Sequence, residues 1–157
     1  MNVELRHALG RFATGVAIVS CRSADGQAAG LTVNSFAALS LQPPLVLWSL
    51  RRASTLLAAF QGAAHFAVNV LAEAQVDLSR QFAGAGLDRF AEGHWRLGHE
   101  GLPLLNGAAA TFECETRSCQ PAGDHLLFIG EVLHFEQQAV APLVFHGSRY
   151  HALGPPL

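Results

Sequence analysis

The sequence predicts a mainly β fold: an antiparallel barrel with helices packed on its outside. Two observations carry that expectation. Short β-branched runs are separated by hairpin turns such as SADGQ and PAGD, and strands joined by tight turns are antiparallel. Two or three helical patterns are interspersed among about five to seven such strands, which suits a barrel with flanking helices. No strand–GxGxxG–helix unit occurs, so a Rossmann dinucleotide domain is not expected.

The elements follow in order. VELRHALGRF, residues 3–12, puts Val3, Leu5, Ala8, Leu9 and Phe12 on one helical face. GVAIVSC, the turn SADGQ and AAGLTV then read as a hairpin over residues 15–33. Pro43-Pro44 punctuates, and PLVLWSL reads as a strand buried on both faces. Ser54 is the expected N-cap of STLLAAFQG, with Gly62 beyond the helix end. AHFAVNVL is a strand, and AEAQVDLSRQFA is an amphipathic helix with Val76, Leu78 and Phe82 among its apolar positions. Residues 83–107 are glycine-rich and irregular, as functional loops are. AAATFECETRSCQ and HLLFIGEVLHFEQ are two long antiparallel strands joined by PAGD, and PLVFH is a short last strand.

Composition narrows the function classes. The 157 residues suit one domain, residues 1–157, with a sizeable core. Half of them are hydrophobic and 14% are charged, which suggests surface covered by a partner subunit or ligand. A net charge of -2 offers no footprint for nucleic acid. No apolar run approaches the ~20 residues of a membrane span. The segment MNVELRHALGRF lacks the apolar core and cleavage site of a signal peptide, so a cytoplasmic protein is expected. Three cysteines without framework spacing fit a reducing compartment. Cys114 and Cys119 fall roughly 16 Å apart on opposite faces of one strand, too far for a disulfide. The eight histidines are scattered, with no metal-ligand spacing.

Three polar clusters interrupt the apolar runs. Thr32, Asn34 and Ser35 sit in GLTVNSFAAL. They suit either an Asx or ST turn closing the strand or an edge that receives a flat polar heterocycle between the walls of Val33 and Phe36. Ser49, Arg51, Arg52, Ser54 and Thr55 sit in SLRRASTLL. They suit either an ordinary helix cap beside solvated arginines or an anion site. Taken together, the two clusters have the logic of a flavin nucleotide site. His125 follows the hairpin turn at Gly123-Asp124. It is either a strand-end surface residue or a group over the ring that orients a carboxamide or stabilises negative charge.

The chain resembles the flavin reductase domain of two-component aromatic monooxygenases, the FMN-binding split-barrel group. The matching segments are FATGVAIVS, GLTVNSF, SLQPPLVLWSLRRAST, FAVNVLAEAQ, DRF, GHW, GLPLLNGAAATFECE, GDHLLFIGEV and GSRYHAL, in the family's order. The resemblance implies a six-stranded antiparallel split barrel, a homodimer, and NAD(P)H-dependent reduction of FMN or FAD for a separate flavin-dependent oxygenase. It implies flavin contacts at Thr32, Val33, Asn34, Ser35, Ser49, Leu50, Arg51, Ser54 and Thr55. Phe82 and the DRF segment, Asp88, Arg89 and Phe90, would flank the flavin. His125, Ser148, Arg149 and Tyr150 would receive the nicotinamide nucleotide, with His125 as the catalytic group. Many relatives carry hydroxyl residues at Ala37 and Ala38 and an Asp at Gln42. A flavin- or haem-binding barrel without turnover is the alternative, and a dimeric interaction domain is a third reading.

Overall fold

The computed structural model describes residues 2–85, 89–91 and 94–157. Its centre is a seven-stranded antiparallel sheet of β2 (Ala17–Arg22), β3 (Ala28–Val33), β4 (Ala37–Leu41), β5 (Pro44–Arg51), β6 (His65–Val70), β9 (Ala110–Ala122) and β10 (His125–Gln137). The strand order is β3-β2-β6-β9-β10-β5-β4. β1 (Thr14–Gly15), β11 (Leu143–His146) and β12 (Arg149–Ala152) form a second small sheet, and β7 (Trp95–Leu97) pairs with β8 (Pro103–Leu105). The helices are α1 (Val3–Leu9), α2 (Leu57–Gly62) and α3 (Val76–Ala83). None among the described residues is long and apolar enough to cross a membrane.

The sheet curls until its two ends share one core. Ala29 and Val33 of β3 pack in the same cluster as Val46, Trp48 and Leu50 of β5, although four strands separate β3 from β5 in the sheet order. Six strands line this interior: β2, β3, β5, β6, β9 and β10. β4 hangs outside on β5 and buries no residue. β3 and β5 do not pair with each other, so the six-stranded barrel is split along that seam. Trp48 stacks on Phe128 at 4.6 Å between ring centroids and meets Phe60 of α2 edge-on at 4.9 Å. Such aromatic pairs add roughly 0.5–1.5 kcal/mol beyond their area burial.

A second apolar layer lies outside the barrel, where α3 lays Phe82, Val76 and Leu78 against Ile18, Leu71 and Leu105. A buried polar clamp fixes the β8 segment to the barrel. Asn69 donates to the Ile18 carbonyl at 2.9 Å and accepts from the Leu105 N–H at 2.9 Å, while Ser20 donates to the Pro103 carbonyl at 2.6 Å. Every group in this clamp has a partner, as a buried polar cluster requires.

Several expectations change in detail. PLVLWSL is not buried on both faces: Val46, Trp48 and Leu50 point inward while Leu45, Leu47 and Ser49 are half-buried on the other side. An antiparallel barrel strand has one core face and one outer face. Ser54 does not cap α2. The helix begins at Leu57, and the Ser54 hydroxyl accepts from the Leu56 N–H at 3.2 Å in the preceding turn. Gly62 is the last helical residue rather than the one beyond it. Residues 83–107 are not wholly irregular, because β7 and β8 pair within them. β4 and β12 were not expected. α1 forms, with Asn2 accepting from the Leu5 N–H at 3.1 Å, but it buries none of its residues.

Candidate functional site

The seam between β3 and β5 opens into a cleft of about 650 Å³. Its walls are the C-terminal ends of these two strands, the turn that follows β5, the end of α3 and the first residue of β10. Within it lie Thr32, Val33, Asn34, Ser35, Ser49, Leu50, Arg51, Ser54, Thr55, Arg89 and His125. Residues far apart in the chain, expected on three separate clusters, therefore meet at one opening. The register explains part of this: β10 pairs with β5 so that His125 stands opposite Arg51.

The side chains divide into committed and open groups. The Ser35 hydroxyl accepts from the Ser49 N–H at 3.0 Å and donates to the Ser49 carbonyl at 3.3 Å. The Thr32 hydroxyl donates to the Ser79 carbonyl at 2.7 Å. Val33 and Leu50 turn their side chains into the core, at 9% and 3% exposure, so they present mainly backbone to the cleft. Asn34 and Thr55 are exposed and make no side-chain hydrogen bond among the described residues. Arg51 is exposed and has no ion-pair partner among them.

The open edge of β3 supplies further groups. The Gly30 carbonyl faces that edge, where it accepts from Arg89 Nη1 at 2.8 Å. Alternate residues of a strand present both backbone groups to the same side, so the N–H and C=O of Thr32 face the cleft. Arg89 also donates to the Gly84 carbonyl, which ties the residues after α3 to the strand. A Cβ at Gly30 would stand 3.0 Å from the Phe90 ring and 3.2 Å from Phe82, so only glycine lets these rings approach.

His125 donates from Nδ1 to the Asp124 carboxylate at 2.8 Å. That bond, with the charges of His125 and of Arg51, holds the Asp124 carboxyl below its usual range. It also fixes the proton on Nδ1 and leaves Nε2 as the ring nitrogen open to a ligand.

Other expected residues stand elsewhere. Phe82 is fully buried beneath Phe90 and Trp95, at 5.1 and 5.3 Å between centroids. It backs the site without reaching the cleft. Phe90 lines a neighbouring hollow. Asp88 lies outside the described residues. Ser148, Arg149 and Tyr150 belong to the β11–β12 hairpin and do not line the cleft. The Tyr150 hydroxyl bonds Ser79 Oγ at 2.7 Å, and its ring borders a smaller hollow with Thr32, Val33 and Asn34. The sequence reading missed Leu31, Ala53 and the run Ala83 to Ala85 as lining residues. It also missed Ser79, which ties Thr32 to Tyr150. A serine spaced three residues from both Val76 and Phe82 on the apolar face of α3 was the available signal.

This arrangement fits a flavin. Backbone groups on an open strand edge and the Asn34 amide suit the polar rim of a flat heterocycle, and Arg51 and Thr55 suit a phosphate at its far end. Residues 9–154 match the family of the flavin reductase like domain. The chain belongs to that family. Its flavin reductase-like domain is 43% identical to the FMN reductase (NADH) SmoA of Agrobacterium fabrum, over 94% of this chain and 83% of that protein. It is 42% identical to the reductase component of the flavin-dependent trigonelline monooxygenase of Acinetobacter baylyi, over 94% of this chain. It spans about half the length of that relative, 47%, and likewise 47% of a probable flavin reductase of Rhizobium meliloti. Among solved structures, the NADH:FAD oxidoreductase SgcE6 of Streptomyces globisporus, in complex with NAD and FAD fragments, superposes with a TM-score of 0.92 at 36% identity, covering 98% of this chain and 93% of that one. The split barrel is thus the fold of the family as well as of this flavin reductase-like domain.

Proposed function

We propose that this chain is an NAD(P)H:flavin oxidoreductase that reduces FMN or FAD and supplies the reduced flavin to a separate flavin-dependent monooxygenase. One observation carries the reading: the open groups Asn34, Arg51, Thr55 and His125 converge with the β3 edge at a single cleft. The relatives' names support it, since they include NADH-dependent flavin reductases and a monooxygenase reductase component.

Bound FMN or FAD supplies the ring that takes up a hydride from NAD(P)H. The chain's own part is binding, orientation and electrostatics. The backbone of Thr32 and the Asn34 amide hold the polar rim of the ring. Arg51 and Thr55 hold the phosphate. His125, oriented by Asp124, meets the nicotinamide carboxamide or the charge that grows on the ring. The described residues lining the cleft include no carboxylate and no cysteine, and a hydride passing between two cofactors requires neither. The reading assigns no role to Ser148 or Arg149. A steady-state assay tests it: NADH or NADPH oxidation should depend on added free FMN or FAD. No oxidation with either flavin would contradict it and favour a binding module.

The same reading takes residues 1–157 as one split-barrel domain that works in the cytoplasm as a homodimer. Val3, Leu5 and Leu9 of α1 and Phe12 just beyond it are 62, 56, 66 and 79% exposed, apolar side chains that nothing among the described residues covers. A second copy supplies such a cover. Light scattering should give a dimer, and a fully active monomer at micromolar concentration would contradict it.

A further inference from the structure

Histidines scattered along the sequence meet on the outer face of the barrel, away from the cleft. β6, β9 and β10 lie side by side. The register puts Glu113 of β9 opposite His134 on one side and Ala67 on the other. His65, two residues before Ala67, shares that face. Cys114 points into the core, so its neighbours Glu113 and Glu115 point outward. The turn His99–Gly101 is tied to this face, because the His99 N–H donates to Glu113 Oε1. The His99 ring then neighbours both other rings, 6.0 Å from His65 and 5.1 Å from His134 between centroids.

The turn is shaped for this approach. A side chain at Gly98 would run into the Glu113 carboxylate. Glu100 takes a φ of 55° ahead of Gly101 at 71°, a left-handed conformation uncommon outside glycine. Glu100 brings a second carboxylate, with Oε1 3.7 Å from His99 Nε2. The nearby arginines are already matched: Arg117 with Glu115 and Glu131, and Arg96 with Glu136. Glu113 and Glu100 have no arginine partner among the described residues.

Imidazoles beside uncompensated carboxylates are the donor set of a zinc-like divalent ion. Two imidazoles on one tetrahedral ion place their ring centroids roughly 5 Å apart, given N–metal bonds of about 2.0–2.1 Å. The His99 and His134 rings already stand so. As the side chains stand, no three donors among the described residues are close enough to hold an ion. His65 and His134 make no side-chain hydrogen bond among those residues, so both rings can turn, and rotation of His65 closes the remaining gap.

We propose that His65, His99 and His134, with Glu113, bind one divalent transition-metal ion of the zinc class and pin the His99–Gly101 turn to the sheet. The imidazoles supply three ligands. Glu113 supplies the fourth through Oε2, since its Oε1 holds the His99 N–H. The Glu100 carboxylate offsets the remaining positive charge. None of these residues lines the flavin cleft, so the site is separate from the flavin reading and stands without it.

Calorimetric titration of untagged, chelator-stripped protein with Zn2+ tests this. Wild-type protein should take up one equivalent per chain at micromolar concentration. Co2+ in its place should give the intense visible bands of a tetrahedral site. Mg2+ should not bind, because a hard ion prefers oxygen ligands. His65→Gln, His99→Gln and His134→Gln should each weaken Zn2+ binding at least about tenfold, since losing a group that merely orients a ligand already costs that much. His151→Gln should leave it unchanged, because His151 lies on β12 with its Nε2 on the His146 carbonyl. Circular dichroism checks that each variant folds. No Zn2+ uptake by wild-type protein would overturn the inference. So would wild-type affinity in any of the three variants, an equal loss in His151→Gln, or Mg2+ binding as tight as Zn2+. The Co2+ spectrum needs no variant, and the pale bands of an octahedral ion would overturn the inference equally.

Discussion

The Ser35 hydroxyl holds the backbone of Ser49 twice, accepting from its N–H and donating to its carbonyl. This pair carries the β4–β5 register on beyond Ala37↔Leu47 and so ties the segment just after β3 to the end of β5. A residue expected to touch the flavin is thereby a strut of the cleft. Its neighbour Asn34, one position earlier, is open.

The two positions should separate in mutants. Ser35→Ala should lower stability by about 1–3 kcal/mol, since two hydrogen bonds to one peptide group are lost. Asn34→Ala should leave stability nearly unchanged and weaken flavin binding instead. Urea unfolding and flavin titration of both variants check this, and a stable Ser35→Ala protein would show that the seam closes without the strut.

Much of the barrel was legible in the sequence because its strands are long and turn-bounded. β9 and β10 run for thirteen residues each and meet at Gly123-Asp124. β12 was missed because it is four residues long and mostly exposed, so no apolar alternation marks it. The Gly147-Ser148 pair between β11 and β12, both at positive φ, was the readable signal. β4 was missed for a similar reason, since it buries nothing. At the site, sequence chemistry pointed to the right neighbourhoods, yet it could not tell committed hydroxyls from open ones. Whether Thr32 meets a ligand or the Ser79 carbonyl depends on where α3 docks, and only the tertiary structure says so.

The buried thiols set a pH dependence of stability. Burial pushes Cys21 up to about 12, and burial with the nearby Glu113 charge pushes Cys114 up to about 12, from 9.0. The folded protein keeps these protons where the unfolded chain loses them. Their contribution is complete below pH 9.0 and is lost as pH rises toward about 12. Each thiol adds at most about 1.4 kcal/mol of lost stability per pH unit within that window. The Cys21→Ala, Cys114→Ala double variant should show a shallower alkaline decline in urea unfolding, and an unchanged slope would contradict this.

His125 should act in the hydride step and barely in resting flavin binding, because its partner is the arriving nicotinamide or the charge that follows it. His125→Ala should slow anaerobic flavin reduction roughly 10- to 100-fold, about 1.4–2.7 kcal/mol of barrier. His125→Asn should recover part of the loss if a hydrogen-bond donor suffices. Stopped-flow reduction, paired with flavin titration of the same variants, decides it. A wild-type rate in His125→Ala, or a defect confined to flavin binding, returns His125 to a strand-end residue.

The most direct test of the whole account is the absorption spectrum of the purified protein, loaded with flavin, before and after anaerobic NADH or NADPH. The account predicts that the oxidised flavin bands bleach on a timescale of catalysis, that one equivalent of nicotinamide is oxidised per flavin, and that admitting oxygen restores the bands. A flavin spectrum that persists with both nucleotides present would contradict it.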